Sequence, residues 1–187
     1  QVSSFSNGSS STYYINASTI ADAITAGTSV TLQANRDITV NSDILATGSS
    51  GGNLTMQAGR DIVINNNITT ANGDLTLVAN ETTANGVIGT ISGTRDLEGT
   101  GAIDVGTGTL SITMSNHVSS YDEIDLTGEM SAGTISVNSS GGNIRFGNQI
   151  ANFINIESTA VSSETFTANN LTANNSGVSI NISVPNL

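Results

Sequence analysis

Two Arg-Asp pairs are the first residues whose types and spacing could do chemistry. Arg36-Asp37 and Arg60-Asp61 recur 24 residues apart. Stacked one above the other, they could form a guanidinium ladder that grips an acidic sugar. The same charges could instead pair across the stack and cap turn carbonyls, the ordinary use of exposed and individually weak ion pairs. Asp122, Glu123 and Asp125 form an acidic cluster. A catalytic carboxylate pair needs a controlled separation and a raised pKa on one member. A Ca²⁺ site needs several converging oxygens. The spacing specifies neither. His117 is the only histidine and has no ligand-spaced or nucleophilic partner, so a surface or turn position is expected. Thr31, Thr55 and Thr76 are expected in an outward column. Ice-binding columns need a regular paired array, and Val63 in place of Thr39 breaks it. No residue is assigned a catalytic, cofactor-binding or metal-binding role, and no cofactor is expected.

The elements that carry these residues follow from an internal repeat. Residues 30–44 read VTLQANRDITVNSDI and residues 54–68 read LTMQAGRDIVINNNI, with eight of fifteen positions identical. The differing core positions are conservative: Val30/Leu54, Leu32/Met56 and Val40/Ile64. Val30, Leu32 and Ala34 alternate with Thr31 and Gln33, and Ile38 and Val40 resume the alternation after a turn. Period two marks strands with one buried face. Three short runs per repeat, near 30–34, 38–41 and 43–45, imply three sides around a core. Stacking the repeats places Ile38 over Ile62 and Ile44 over Ile68, giving parallel ladders and a continuous aliphatic stack. Leu75 opens a third coil. Alternation continues at Ile103/Val105, Leu110/Ile112/Met114, Ile124/Leu126, Ile135/Val137, Ile144/Phe146, Ile154/Ile156 and Val178/Ile180/Ile182. Gly51-Gly52-Asn53, Asn72-Gly73-Asp74 and Gly141-Gly142-Asn143 read as turns between them.

The expected fold is therefore all-β: a three-sided parallel β-helix of about 7–9 coils, roughly 35–45 Å long, in one domain over 1–187. Two regions break the rhythm. Residues 18–27 carry a helical pattern, with Ser18 as cap, Ile20 and Ile24 on one face and Gly27 as terminator. Residues 79–102 are expected to form either an irregular coil or a projecting loop, the kind of segment on which binding often sits.

Composition excludes several functions. The chain has no Cys, Trp or Lys, four Arg and a formal net charge of -11. Phosphate binding needs clustered cations, so nucleic acid is not expected as a partner, nor is an anionic membrane surface. Without Cys there is neither a disulfide framework nor a Cys-based metal or redox site. No apolar run is long enough for a transmembrane helix, so no membrane insertion is expected. The chain begins at Gln1 with no signal peptide and reads as a processed or excised piece.

The phrases SVTLQANRDITVNSDI, NLTMQAGRDIVINNNI and GDLTLVAN resemble the repeats of filamentous haemagglutinin and the high-molecular-weight adhesins, large exoproteins of two-partner secretion. STIADAITAGTSVTLQA resembles their helix-to-coil junction, and GAIDVGTGTLSITMS another of their coils. The likeness covers about residues 12–116 and weakens beyond. That family's secretion domain carries an Asn-Pro motif absent here, which implies an interior segment. The resemblance implies a right-handed β-helix at the bacterial surface or in the medium. It further implies adhesion to host cells, other bacteria or matrix through an unknown receptor or glycan, and export by an outer-membrane transporter. Of nine Asn-X-Ser/Thr sequons, the resemblance suggests glycosylation at sites such as Asn53, Asn67, Asn80 and Asn138, although composition alone would produce most of them. The competing reading is a polysaccharide lyase or hydrolase on the same fold. It needs a groove of converging acids or an Asp with Lys or Arg, which no Lys, four Arg and few aromatics supply poorly. The expectation is a non-enzymatic shaft.

Overall fold

The computed structural model describes residues 12–81, 94, 96–116, 122–140, 143–158, 166–173 and 180–183. Among the described residues, one helix, α1 (Ala17–Thr25), precedes fifteen strands. The strands are β1 (Val30–Ala34), β2 (Ile38–Val40), β3 (Ile44–Leu45), β4 (Leu54–Ala58), β5 (Ile62–Ile64), β6 (Ile68–Thr69), β7 (Leu75–Ala79) and β8 (Asp96–Gly99). They continue as β9 (Ile103–Asp104), β10 (Thr109–Met114), β11 (Glu123–Leu126), β12 (Met130–Ser139), β13 (Asn143–Ser158), β14 (Phe166–Ala173) and β15 (Ile180–Ser183). All belong to one sheet that winds around the core, and every described pairing is parallel. The architecture is a parallel β-solenoid.

The register follows the repeat. Val30 pairs with Leu54, Ile38 with Ile62 and Ile44 with Ile68. Leu54 then pairs with Leu75, Leu75 with Leu110, and Leu110 with Ile135. Strands such as β7 and β10 alternate buried and half-buried residues, as one buried face requires. Leu54, Met56, Ile62, Ile64, Ile68, Leu75, Leu77 and Leu97 are fully buried and form a single aliphatic column. The β8 strand lies within the stretch 79–102 and is a regular member of the stack, between β5 and β11.

Chain length varies mainly at one corner. From the second stack to the third, the step is constant through Ile38–Ile44, Ile62–Ile68, Leu97–Ile103 and Ile124–Met130. From the first stack to the second, it is short between Leu54 and Ile62 but long between Leu75 and Leu97. The extra residues of the third coil thus fall in sequence between β7 and β8, both of which pair in the parallel ladders.

The helix covers the N-terminal end of the core. Ile20, Ala21 and Ile24 are buried against the first coil, whose Val30, Leu32 and Ile38 are only partly buried. Gly27 (φ +77) ends the helix as expected, but the cap is Asn16 rather than Ser18. The Asn16 side chain accepts the Ser18 N–H at 3.1 Å, so Ser18 sits inside the first turn. The Ile24 carbonyl then accepts from Gly52 N, which ties the helix to the second coil.

Glycines that read as turn residues serve a different purpose. Gly51, Gly52 and Gly73 do not have positive φ; it is adopted by Gly48 (φ 106) before the first pair and by Ala71 (φ 55) and Asn72 (φ 72) before Gly73. A Cβ on Gly73 would sit 2.2 Å from the Gly52 carbonyl oxygen, and one on Gly52 would sit 2.3 Å from that of Thr28. These glycines let successive coils approach backbone to backbone.

Candidate functional site

The polar residues with chemical potential collect where the chain enters each strand. Ser29 Oγ accepts the Asn53 N–H, Asn53 Oδ1 the Asp74 N–H, and Asp74 Oδ1 the Thr109 N–H. A second column runs from Asp37 to the N–H of Asp61, from Asp61 to that of Asp96, and from Asp96 to that of Glu123. A third links Asp43 to Asn67 N and Asn67 to Ala102 N. Each acceptor lies just before a strand or at its start, where a side chain can take a donor from the next coil. These columns occupy polar groups that would otherwise be left at the turns. The sequence contained their signal: a Ser, Asn or Asp immediately before the strand in successive repeats.

The Arg-Asp pairs stack, and the arrangement is an ion-pair network between coils. Arg60 grips Asp37 of the preceding coil through Nε (2.7 Å) and Nη2 (2.5 Å) and lies 3.0 Å from Asp61. Arg36 is more exposed and reaches Asp37 at 3.5 Å. The bidentate geometry fixes the fork of Arg60 and raises its pKa, chiefly through the hydrogen bonds it donates to Asp37. Arg145 donates a single hydrogen bond through Nη1 to Asp125 Oδ2 of the preceding coil at 2.6 Å.

The acidic cluster divides. Asp122 is buried, while Glu123 and Asp125 sit at alternate outward positions of β11. The Glu123 backbone N–H donates to the Asp96 carboxylate, and Asp125 accepts from Arg145. Among the described residues, no three His, Cys, Asp or Glu side chains are placed to hold a metal ion. A shallow open depression beside this stack is lined by Glu98, Asp125, Asn65 and Thr127. His117 lies outside the described residues.

Asn53, Asn67 and Asn138 are exposed, whereas Asn80 is only 1% exposed. Asn53 and Asn67 already spend their Oδ1 atoms on the coil-to-coil columns. Asn80 takes positive φ (54) at the variable corner, with neither amide atom hydrogen-bonded among the described residues.

Burial pushes the Asp61 carboxyl up to about 6, against the lowering effects of the Asp96 N–H and Arg60. Burial raises Asp96 as well, with Glu98, Glu123 and Asp122 adding to the shift. The folded state therefore holds these protons more tightly than the unfolded chain. Their contribution to stability is present at low pH and is lost as pH rises, for Asp61 through about 6. Lowering pH from about 7.5 to about 5.5 should raise the melting temperature by a few degrees. Asp61→Asn keeps the Oδ1 acceptor and removes the charge. It should stabilise the chain at neutral pH by about 1 kcal/mol, after allowance for solvent screening, and flatten the profile. Thermal melts across this range check both. A variant less stable than the parent at pH 7.5 would show that the Arg60 pairing outweighs desolvation.

The fold and these columns define a parallel β-solenoid in which about half of the described charged side chains join one coil to the next. Among the described residues, no helix is long and apolar enough to cross a membrane. No family model matches the chain, and no curated protein or solved structure matches it.

Proposed function

We propose that the chain is a shaft and binding segment of a large secreted bacterial surface adhesin of the filamentous haemagglutinin type. It mediates attachment to host cells, other bacteria or matrix, and its parent leaves the cell through an outer-membrane transporter. In this reading the solenoid is right-handed, with about seven to nine coils. The observation that carries the proposal is the use of the polar groups. The Arg-Asp pairs and strand-entry Asp and Asn residues join one coil to the next. Chemistry of this kind builds a long regular surface rather than a reaction centre.

Beads coated with the purified chain should attach to epithelial cells, bacteria or immobilised matrix more than beads coated with an inert protein. Soluble chain should compete. Attachment no greater than that of the inert coat on all three surfaces would overturn the adhesive role. Release of products from pectin, alginate or a glycan panel would overturn the non-enzymatic one.

A further inference from the structure

We propose that the outward face of the β1-β4-β7-β10-β12 stack binds an extended, uncharged polysaccharide through its hydroxyl groups. The proposal rests on the adhesive reading and names the chemical class of its partner. Successive coils place Thr31, Thr55, Thr76, Ser111 and Ser136 in register on this face. Thr31 is exposed and the other four are partly so. None of the five hydroxyls has a partner among the described residues. That separates them from Ser29, Asn53 and Asp74, whose side chains are committed to the next coil.

The charge distribution selects the ligand. The chain carries a net charge of -11, yet the outward positions of β1, β4, β7, β10 and β12 hold only Thr, Ser, Gln, Asn and Val78. A run of charges lies on another side, where Glu98, Asp125 and Arg145 follow one another across β8, β11 and β13, while the first stack meets acidic residues only at its margins, Asp74 at the entry of β7 and Glu157 opposite Asn138 in β13. An acidic glycan or a nucleic acid would meet no cation on the hydroxyl face and would be repelled by the chain as a whole. An apolar partner would strand the hydroxyls without hydrogen bonds. A neutral polyol offers both donors and acceptors. Coils about 4.8 Å apart present one hydroxyl each, a step comparable to one sugar unit of an extended glycan. Individual contacts are weak, and repetition along the stack supplies avidity.

The test is affinity electrophoresis of the purified chain through gels containing hydroxyethylcellulose, galactomannan or alginate. Retardation is expected with at least one of the two neutral polymers and not with alginate. It should persist in about 0.5 M NaCl, since no ion pair is involved. The double variant Thr76→Ala/Ser111→Ala should weaken binding about tenfold. Thr76→Glu/Ser111→Glu should weaken it further, and Asp125→Asn on the charged side should leave it unchanged. Circular dichroism melts establish that each variant is folded, and the alanine pair decides if the glutamate pair is not. No retardation by either neutral polymer, retardation by alginate alone, or retention unaffected by the alanine pair would overturn the proposal. Cell attachment that survives in those cases, unaffected by excess neutral polymer, would leave the adhesive reading standing without this face.

Discussion

Ile62→Asp is expected to unfold the solenoid well beyond its own coil. Ile62 is fully buried and pairs with Ile38 on one side and Leu97 on the other. A carboxylate there meets aliphatic neighbours above and below, with no cation or donor provided by the column. The cost is roughly 5 kcal/mol or more, comparable with the whole stability of an ordinary domain. Because each coil is stable only against its neighbours, the loss spreads along the stack. Circular dichroism and urea titration should show loss of strand signal at neutral pH. The adjacent residue provides the control. Val63 lies on the outward side and pairs with Thr39, so Val63→Thr should change stability by less than about 1 kcal/mol. If the two substitutions had similar effects, the register would be displaced by one residue, which exchanges the two faces of every strand.

Gly73→Ala should destabilise by about 2–4 kcal/mol, although the substitution adds a single methyl group. In an open turn of ordinary φ the same change usually stabilises by about 0.4–1 kcal/mol, because alanine restricts the unfolded chain. Here the methyl carbon would lie 2.2 Å from the Gly52 oxygen and 2.8 Å from its carbonyl carbon. The atoms it meets are backbone, which cannot rotate away as a side chain could. The two coils would have to separate, weakening the neighbouring bonds Leu54 N to Asp74 O and Gly51 N to Ala71 O. The sign of the change in a urea titration decides between close approach and simple turn flexibility. A more stable variant would refute the close packing of these turns.

The repeat at 30–44 and 54–68 was enough to expose the register, because period-two alternation and a constant offset leave little freedom in how strands stack. Ile38 over Ile62 and Ile44 over Ile68 are found as expected. The glycines were legible only as turn signals. Their conformation can be ordinary while their surroundings exclude a side chain, and those surroundings come from a different coil. The helix cap moved from Ser18 to Asn16 because either residue type can cap, and the point of entry depends on how Ile20 and Ile24 meet the core.

At the candidate site, the ionic pairing of Arg60 with Asp37 followed from stacking the two Arg-Asp pairs. The strand-entry columns were missed, although Ser29, Asn53, Asp37, Asp61, Asp43 and Asn67 recur at matching places. Their donors are backbone N–H groups, which have no residue type to mark them in a sequence. The acidic cluster looked like a unit because its members are neighbours in the chain. Burial of Asp122, the bond from Glu123 N to the Asp96 carboxylate and the Arg145 pairing of Asp125 assign them to different environments.

The way the coils are joined has a mechanical consequence. Backbone bonds between coils, the strand-entry columns and the Arg60–Asp37 bridge all cross from one turn of the chain to the next. A pull along the stacking axis therefore strains a whole ring of bonds at each interface together. A force applied to one free strand at the edge would instead open them one after another, so resistance to rupture should depend strongly on the direction of load.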